Sequence, residues 1–291
     1  MKGIILAGGT GSRLRPVTLA VCKQLLPVYD KPMVFYPLSV LMLAGIDDIL
    51  LISTERDQAL FHNLLGDGAH LGIRISYAVQ ASPAGLPQAF TIGADHMQGQ
   101  RTAMILGDNV FFGEGMGSLL MAAMDGADAV GFCTRVTDPQ RYGVVSFDSD
   151  GKVRTLQEKP KHPVSDWAMT GLYVVDGDAP ARAARLKPSA RGELEMVDLL
   201  GSYLDEGRLS MIKVGRGYAW FDAGTHDSLL EASEFVRTVE GRQGLKVACL
   251  EEIALRRGFI DLDRFARLAQ DAGDTSYGRY LQAVLAESRG A

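Results

Sequence analysis

The chain has 291 residues, 47 % hydrophobic and 22 % charged, with a net charge of −5. Such a length buries a large core, as two domains or as one α/β domain of about 200–250 residues with an appendage. The acidic balance gives no support to nucleic-acid binding, and no apolar run reaches the roughly 18 residues that would span a bilayer. The N-terminus is expected to enter a strand directly, with no signal peptide. Three scattered cysteines (Cys22, Cys133, Cys249) argue against disulfides or zinc and for a reducing, cytoplasmic setting.

Ile4-Ile5-Leu6-Ala7 is short, apolar and partly β-branched, the pattern of a buried parallel strand. Gly8-Gly9-Thr10-Gly11-Ser12-Arg13-Leu14-Arg15-Pro16 follows, and its glycines let the backbone turn and gather N–H groups around phosphate oxygens. A dinucleotide fingerprint is excluded, because Leu14 stands where a third glycine would let a helix pack on the strand. A P-loop is excluded as well, since the residue five beyond Gly8 is Arg13. Through Lys31 the segment carries five basic residues (Lys2, Arg13, Arg15, Lys23, Lys31) against one acid, Asp30. It reads as a local cationic patch suited to a polyphosphate.

Further strands are expected at residues 48–53, 73–79, 102–106 and 129–135, and helices at 32–44, 56–65, 87–97 and 116–124. Strands separated by helices imply right-handed crossovers and a Rossmann-like α/β fold, a mostly parallel central sheet flanked by helices. Ligands gather at the carboxyl ends of such strands. The glycine loop, Gln80 and Asp108 each follow one, so a single cleft can hold all three. After Tyr142 the pattern turns antiparallel: residues 143–147 and 152–157 flank the hairpin signal Asp148-Ser149-Asp150-Gly151. A strand at 167–175, a helix at 193–206 and strands at 208–214 and 218–221 come next. Thr225 is a candidate N-cap for a helix that runs to about Glu240 and closes at Gly241. Phe259, Leu262, Phe265 and Leu268, then Tyr280, Leu281, Val284 and Leu285, have helical spacing. The expected organisation is one unit over 1–244, mostly parallel to about residue 135 and with an antiparallel insertion after it. Residues 245–291 form a helical appendage, compatible with an oligomer interface or with core packing.

Leu6-Ala7-Gly8-Gly9-Thr10-Gly11-Ser12-Arg13-Leu14 with Lys23-Gln24-Leu25-Leu26-Pro27-Val28-Tyr29-Asp30-Lys31-Pro32 resembles the signature of the sugar-phosphate nucleotidylyltransferases. The resemblance runs nearly end to end, through Gly107-Asp108-Asn109, Glu158-Lys159-Pro160, Arg191-Gly192-Glu193-Leu194-Glu195, Gly217-Tyr218-Ala219-Trp220 and Gln243-Gly244-Leu245-Lys246-Val247. Nucleotidyl transfer needs no enzyme nucleophile, only positioning and charge neutralisation. The planar fork of Arg13 suits the β- and γ-phosphates, and Lys23 suits the α-phosphate or the leaving group. Asp108 and Asp222 each end an apolar strand, where an unpaired charge is expensive. Beside a triphosphate, two such acids suggest Mg²⁺; each alone could instead cap a turn. Lys159 suits a sugar phosphate and Glu158 the ring hydroxyls, although a bare Glu-Lys pair is also a common surface ion pair.

The resemblance implies nucleotide contacts at Gly8, Gly9, Thr10, Gly11, Ser12, Arg13, Lys23, Gln24, Gln80, Gly85 and Asp108. It implies sugar-phosphate contacts at Asn109, Tyr142, Gly143, Glu158, Lys159, Thr170 and Gly171, and metal ligation by Asp108 and Asp222. It also implies dTTP and glucose 1-phosphate as substrates of a step in deoxysugar synthesis, a homotetramer, and feedback inhibition by a dTDP-sugar. Ala84 and Pro87 depart from the family's usual Asp and Ala, and Ala223 from Thr. A UTP- or other-hexose-using enzyme is therefore the alternative, and a non-catalytic nucleotide-sugar sensor the second. Cys22 reads either as a small inert side chain or as a thiol whose pKa the cationic patch lowers.

Overall fold

The structure, a computed structural model, describes every residue except Thr10, Ala127 and Ala291. The first 135 residues run β1 (Lys2–Leu6), the short pair β2 (Pro27–Val28) and β3 (Lys31–Pro32), α1 (Phe35–Leu43), β4 (Asp48–Ser53), α2 (Glu55–Leu65), β5 (Arg74–Val79), α3 (Gln88–Ile92), α4 (Ala94–Met97), β6 (Thr102–Leu106), β7 (Asn109–Phe112), α5 (Met116–Met124) and β8 (Ala129–Arg135). Next come β9 (Gly143–Phe147), β10 (Val153–Glu158), β11 (Trp167–Val175), α6 (Ala179–Ala183), α7 (Met196–Leu204), β12 (Leu209–Lys213) and β13 (Ala219–Asp222). Helices α8 (His226–Gln243), α9 (Leu250–Arg256), α10 (Leu262–Asp271) and α11 (Ser276–Gly290) complete the chain.

Among the described residues nine strands form the central sheet, in the order β10-β9-β11-β6-β1-β4-β5, with β8 beside β11 and β12 beside β8. The expected mostly parallel, helix-flanked α/β sheet is present: β6, β1, β4 and β5 run parallel, and the antiparallel β11 joins them to the later strands. Leu6 pairs with both Ile52 and Leu106, so β1, β4 and β6 end level and their following loops share one edge. Along one side of β11, Leu172–Val175 pair with β6 while Ala168 pairs with β9. Between those two partners, at Thr170 and Gly171, the sheet splits. That gap is the floor of the cleft described below.

Burial explains the strand pattern. All five residues of β1 and all six of β4 are buried, as strands covered on both faces must be. One core cluster joins Ile5, Leu38, Ile49 and Phe61 to Leu250, Ile253, Phe265, Leu281 and Leu285, so α9–α11 close over the same sheet face as α1. Phe265 is wholly buried, and core packing accounts for its place in the C-terminal helical spacing. On the other face Phe90, Met104, Tyr173, Leu200 and Tyr203 pack together. Among the described residues no helix is long and apolar enough to cross a membrane.

Several expected boundaries shift for identifiable reasons. Helix α1 begins at Phe35, because Lys31–Pro32 pair with Pro27–Val28 and Met33 donates its N–H to Leu26 at 2.9 Å. The segment expected to be one helix over 87–97 breaks at Gly93 into α3 and α4. Helix α7 starts only at Met196, since Glu195 is extended and Leu194 bridges to Gly85. Thr225 does cap α8, in a reciprocal box with Ser228, but the helix passes Gly241 and closes at Gly244. The cationic patch is not one patch. Lys2 pairs with Asp48, and Lys31 is buried between Asp30 and Glu240, partners that lie far off in sequence for both main pairs.

Candidate active site

A cleft of about 310 Å³ opens at the carboxyl edge of the sheet, over the gap in β11. The loop after β1 brings Gly8, Gly9 and Arg13 to it, and the 3-10 turn Lys23–Leu25 brings Lys23 and Gln24. Gln80 and Gly85 follow β5; Asp108 and Asn109 follow β6; Thr170 and Gly171 form the floor. Tyr142, Gly143, Glu158 and Lys159 line the far side, and Asp222 closes the wall at the end of β13. Gly11 and Ser12 do not line it: they shape the turn that carries Arg13, with the Gly11 carbonyl accepting from Thr18 Oγ1 at 2.7 Å. Thr10 lies outside the described residues.

The two aspartates differ in environment. Lys23 Nζ donates to Asp108 Oδ2, and both side chains are mostly buried, 14 % and 16 % exposed. Burial opposes the Asp108 charge, but Lys23 and the Asn109 amide outweigh it and hold the carboxyl below its ordinary range. Asp222 has no such partner. Burial, and then the Asp108 charge, push its pKa up, and Lys23, Arg13 and Arg141 only partly offset them. Its Oδ1 is shielded from solvent and finds no hydrogen bond among the described residues. Gly224 leaves room for both Asp222 and the Arg13 guanidinium: a Cβ there would stand 2.5 Å from Asp222 Oδ1 and 2.8 Å from Arg13 Nη2.

Asn109 is buried and its amide is fixed from both ends. Its Oδ1 accepts from the Gly171 N–H at 2.9 Å and from the Trp220 indole at 2.6 Å, which leaves Nδ2 to donate to Asp108 Oδ1 at 2.9 Å. The Trp220 ring stands edge-on to Tyr142, with centroids 5.1 Å apart. Gln24 and Gln80 are likewise held, by the Gly8 carbonyl at 3.2 Å and by Gln88 Oε1 at 2.7 Å. The Thr170 hydroxyl is spent on the Phe132 carbonyl at 3.1 Å.

Successive strand residues point to opposite faces, yet Glu158 and Lys159 both reach the cleft. Lys159 has φ +41°, a left-handed conformation that swings its side chain to the Glu158 side, and its N–H is tied to the Tyr142 carbonyl at 2.9 Å. Such a residue costs on the order of 1–3 kcal/mol unless its surroundings enforce it. Burial raises the Glu158 pKa, Lys159 opposes that shift, and Glu195 adds to it.

The sequence reading assigned no role to Arg141, Tyr173, Arg191, Glu195 or Trp220, all of which line the cleft. Arg191, Glu195 and Trp220 sit inside the motifs quoted above, which is the available signal. Of the two readings of Cys22, burial favours the small inert side chain: burial with the nearby Asp57 raises its pKa to about 11, the opposite direction from an activated thiol.

Residues 2–239 match the nucleotidyl transferase family. A glucose-1-phosphate thymidylyltransferase of Xanthomonas campestris pv. campestris (strain B100) is 56 % identical over 286 residues, covering 97 % of this chain and 96 % of its own. The enzyme of that name from Neisseria meningitidis serogroup A is 53 % identical, with 98 % and 99 % covered. Among solved structures, a Bacillus anthracis protein described as a glucose-1-phosphate thymidylyltransferase, in complex with sucrose, superposes with a TM-score of 0.75 at 38 % identity, covering 81 % of this chain and 95 % of that one. A UDP-glucose pyrophosphorylase bound to UDP-glucose gives 0.71 at 22 % identity, covering 82 % and 98 %, a likeness of fold alone. With the match spanning sheet and cleft alike, the chain belongs to the nucleotidyl transferase family.

Proposed function

We propose that this protein transfers a deoxythymidylyl group from dTTP to α-D-glucose 1-phosphate, giving dTDP-glucose and pyrophosphate. The observation that carries the reading is the meeting of Arg13, Lys23, Asp108, Lys159 and Asp222 in one cleft. Relatives at 56 % and 53 % identity bear the name of that enzyme.

In this reading the sugar phosphate itself serves as nucleophile, and the cleft's side chains position and neutralise rather than attack. One of its phosphate oxygens attacks the α-phosphorus in line. As that P–O bond forms, the bond from the α-phosphorus to the bridging oxygen breaks, and its electron pair leaves with pyrophosphate. The protein positions the reactants and offsets charge. Gln24 and Gln80, their amides held in place, read the donor–acceptor edge of the pyrimidine with the Gly85 backbone. The glycine loop and Arg13 take the triphosphate, and Lys23 exchanges Asp108 for the α-phosphate or the departing oxygen. Lys159 holds the sugar phosphate, and Glu158 accepts from hexose hydroxyls.

Asp108 and Asp222 are the residues to hold a divalent cation, here Mg²⁺, which takes one or two carboxylates with substrate oxygens and waters. The fit rests on Asp222, whose Oδ1 is buried without a partner among the described residues beside a second carboxylate. Bound there, the ion supplies charge neutralisation at the phosphate oxygens. A homotetramer and a cytoplasmic setting belong to the same proposal. The homotetramer rests on the family resemblance, and the cytoplasmic setting is supported by the three free cysteines. Feedback by a dTDP-sugar rests on the resemblance alone.

The test is pyrophosphate release over a matrix of dTTP, UTP and dATP against glucose 1-phosphate and galactose 1-phosphate, with and without Mg²⁺. The highest kcat/KM is expected for dTTP with glucose 1-phosphate and Mg²⁺. A higher value for another pair would replace the substrates. Binding without turnover would make the protein a sensor.

A further inference from the structure

Two loops from distant parts of the chain meet over the cleft. The first, residues 83–86, follows β5 and contributes Gly85 to the base side. It is anchored by Gln88, whose Oε1 accepts from Gln80 Nε2 at 2.7 Å and from the Ala84 N–H at 3.2 Å. The second, residues 189–195, precedes α7 and forms the wall beside Glu158. It is folded on itself, with Ser189 Oγ donating to Glu195 Oε1 at 2.6 Å and the Ser189 N–H to the Glu193 carbonyl at 2.8 Å. Arg191 ties this loop to the hexose side, within 3.4 Å of Glu158 and 3.2 Å of Glu195.

The two loops are joined by main chain. Leu194 donates its N–H to the Ala84 carbonyl at 2.8 Å, and Gly85 and Leu194 form an isolated parallel bridge. Gly85 has φ +116°, and a Cβ there would lie 2.1 Å from the Leu194 carbonyl oxygen and 2.6 Å from its nitrogen. Only glycine permits this approach. A backbone pressed by a bound base at Gly85 therefore carries Leu194 with it. The next residue, Glu195, is 6 % exposed and faces the cleft with Arg191 and Glu158 as neighbours.

We infer that this bridge is a strap through which occupancy of the base subsite sets the hexose wall, with Gly85 and Leu194 as positioning residues. The inference rests on the proposed nucleotide and sugar-phosphate reading of the cleft. Linkage makes the effect reciprocal: whatever the nucleotide does to sugar-phosphate affinity, the sugar phosphate does to nucleotide affinity. Direct contact between the two substrates contributes to that coupling too, but a lesion in the strap leaves the direct contact in place. The strap's share is thus the difference between unaltered protein and variant.

The experiment first establishes turnover of dTTP and glucose 1-phosphate by the unaltered protein; its absence would refute the functional reading and leave the strap without its substrates. Glucose 1-phosphate is then titrated calorimetrically with and without a non-hydrolysable α,β-methylene analogue of dTTP, on unaltered protein, Gly85→Ala and Leu194→Pro. Gly85→Ala fills the approach, and Leu194→Pro removes the donated N–H, so the lesions are independent. The nucleotide-induced change in sugar-phosphate affinity is expected to be about fivefold or more larger in the unaltered protein, within the range typical of coupled sites. Equal factors, within twofold, in a folded variant would overturn the strap. Hydrogen exchange on the unaltered protein gives a readout free of folding defects. The analogue alone is expected to slow exchange across residues 189–195 at least threefold, and glucose 1-phosphate alone across 83–86. Unchanged exchange in both segments would also overturn it.

Discussion

Replacing Asp222 by Asn should make the metal-free protein more stable while it abolishes most of its activity. Asp222 Oδ1 is buried with no partner among the described residues, and the nearby Asp108 repels its charge. An unsatisfied buried polar group costs about 1–3 kcal/mol, more when charged. Removing the charge should return a gain of that order, a rise in Tm of roughly 2–6 °C at about 2 °C per kcal/mol for a chain of this size. Loss of one electrostatic stabiliser should lower kcat by about 10²–10³. The pH dependence follows from linkage. Burial and Asp108 raise the folded pKa above the unfolded one, so the folded state binds the proton more tightly and stability falls as pH rises through the raised value. The Asn variant's advantage is therefore full above that raised value and vanishes as pH falls toward about 3.9, the ordinary Asp value. The assay is thermal unfolding of both proteins in EDTA from pH 4 to 8, repeated with Mg²⁺, beside pyrophosphate release. Mg²⁺ should raise the Tm of the unaltered protein and leave that of Asp222→Asn nearly unchanged. A variant no more stable than the parent at pH 7.5 in EDTA would refute the reasoning about this carboxylate.

Arg13→Ala and Lys23→Ala should each lose about 10²–10³ in kcat but part company in stability. Arg13 is exposed, so its Tm should barely move, whereas losing Lys23 strands Asp108 in a largely buried site and should cost about 3–5 kcal/mol; paired melting curves decide. Phe265→Ala should cost about 3–5 kcal/mol in denaturant unfolding, because the ring is wholly buried in the core shared by sheet and C-terminal helices; a cost below about 1 kcal/mol would separate that segment from the core. Cys22 is raised to about 11, and Cys133 and Cys249 each to about 12, all three chiefly by burial. A disulfide reagent at pH 8 should react with them only on unfolding, so nucleotide should slow the reaction only as much as it slows unfolding.

Features set by local pattern were legible in the sequence. Residues 167–175 form β11 with the expected bounds, as a short run rich in aromatic and β-branched residues between loops favours a covered strand. The alternation of strand and helix before residue 135 likewise led to the parallel sheet, and with it to the edge where Gly8, Gln80 and Asp108 meet. Features set by pairing at a distance were not. Lys2 and Lys31 looked like part of a phosphate patch because their partners, Asp48 and Glu240, lie 46 and 209 residues away. The choice between the two readings of Cys22 was open for the same reason: nothing in its neighbours along the chain reports that it is buried near Asp57. Arg191 and Glu195 reach the cleft through a loop whose path depends on one backbone bridge to Gly85, and no periodicity encodes that contact. Asn109 was legible as a cleft residue, but its use as a clamp on Asp108 depends on Trp220, 111 residues on.

The most direct test of a cleft that joins two substrates without a protein nucleophile is the stereochemical course at phosphorus. dTTP carrying a single sulfur of known configuration on the α-phosphorus is turned over with glucose 1-phosphate, and the configuration of the product is assigned by phosphorus NMR. One in-line displacement inverts the centre, so inversion is expected. Retention would mean two displacements and a covalent intermediate on the protein, and would contradict the charge-and-positioning mechanism assigned to Arg13, Lys23, Asp108 and Asp222.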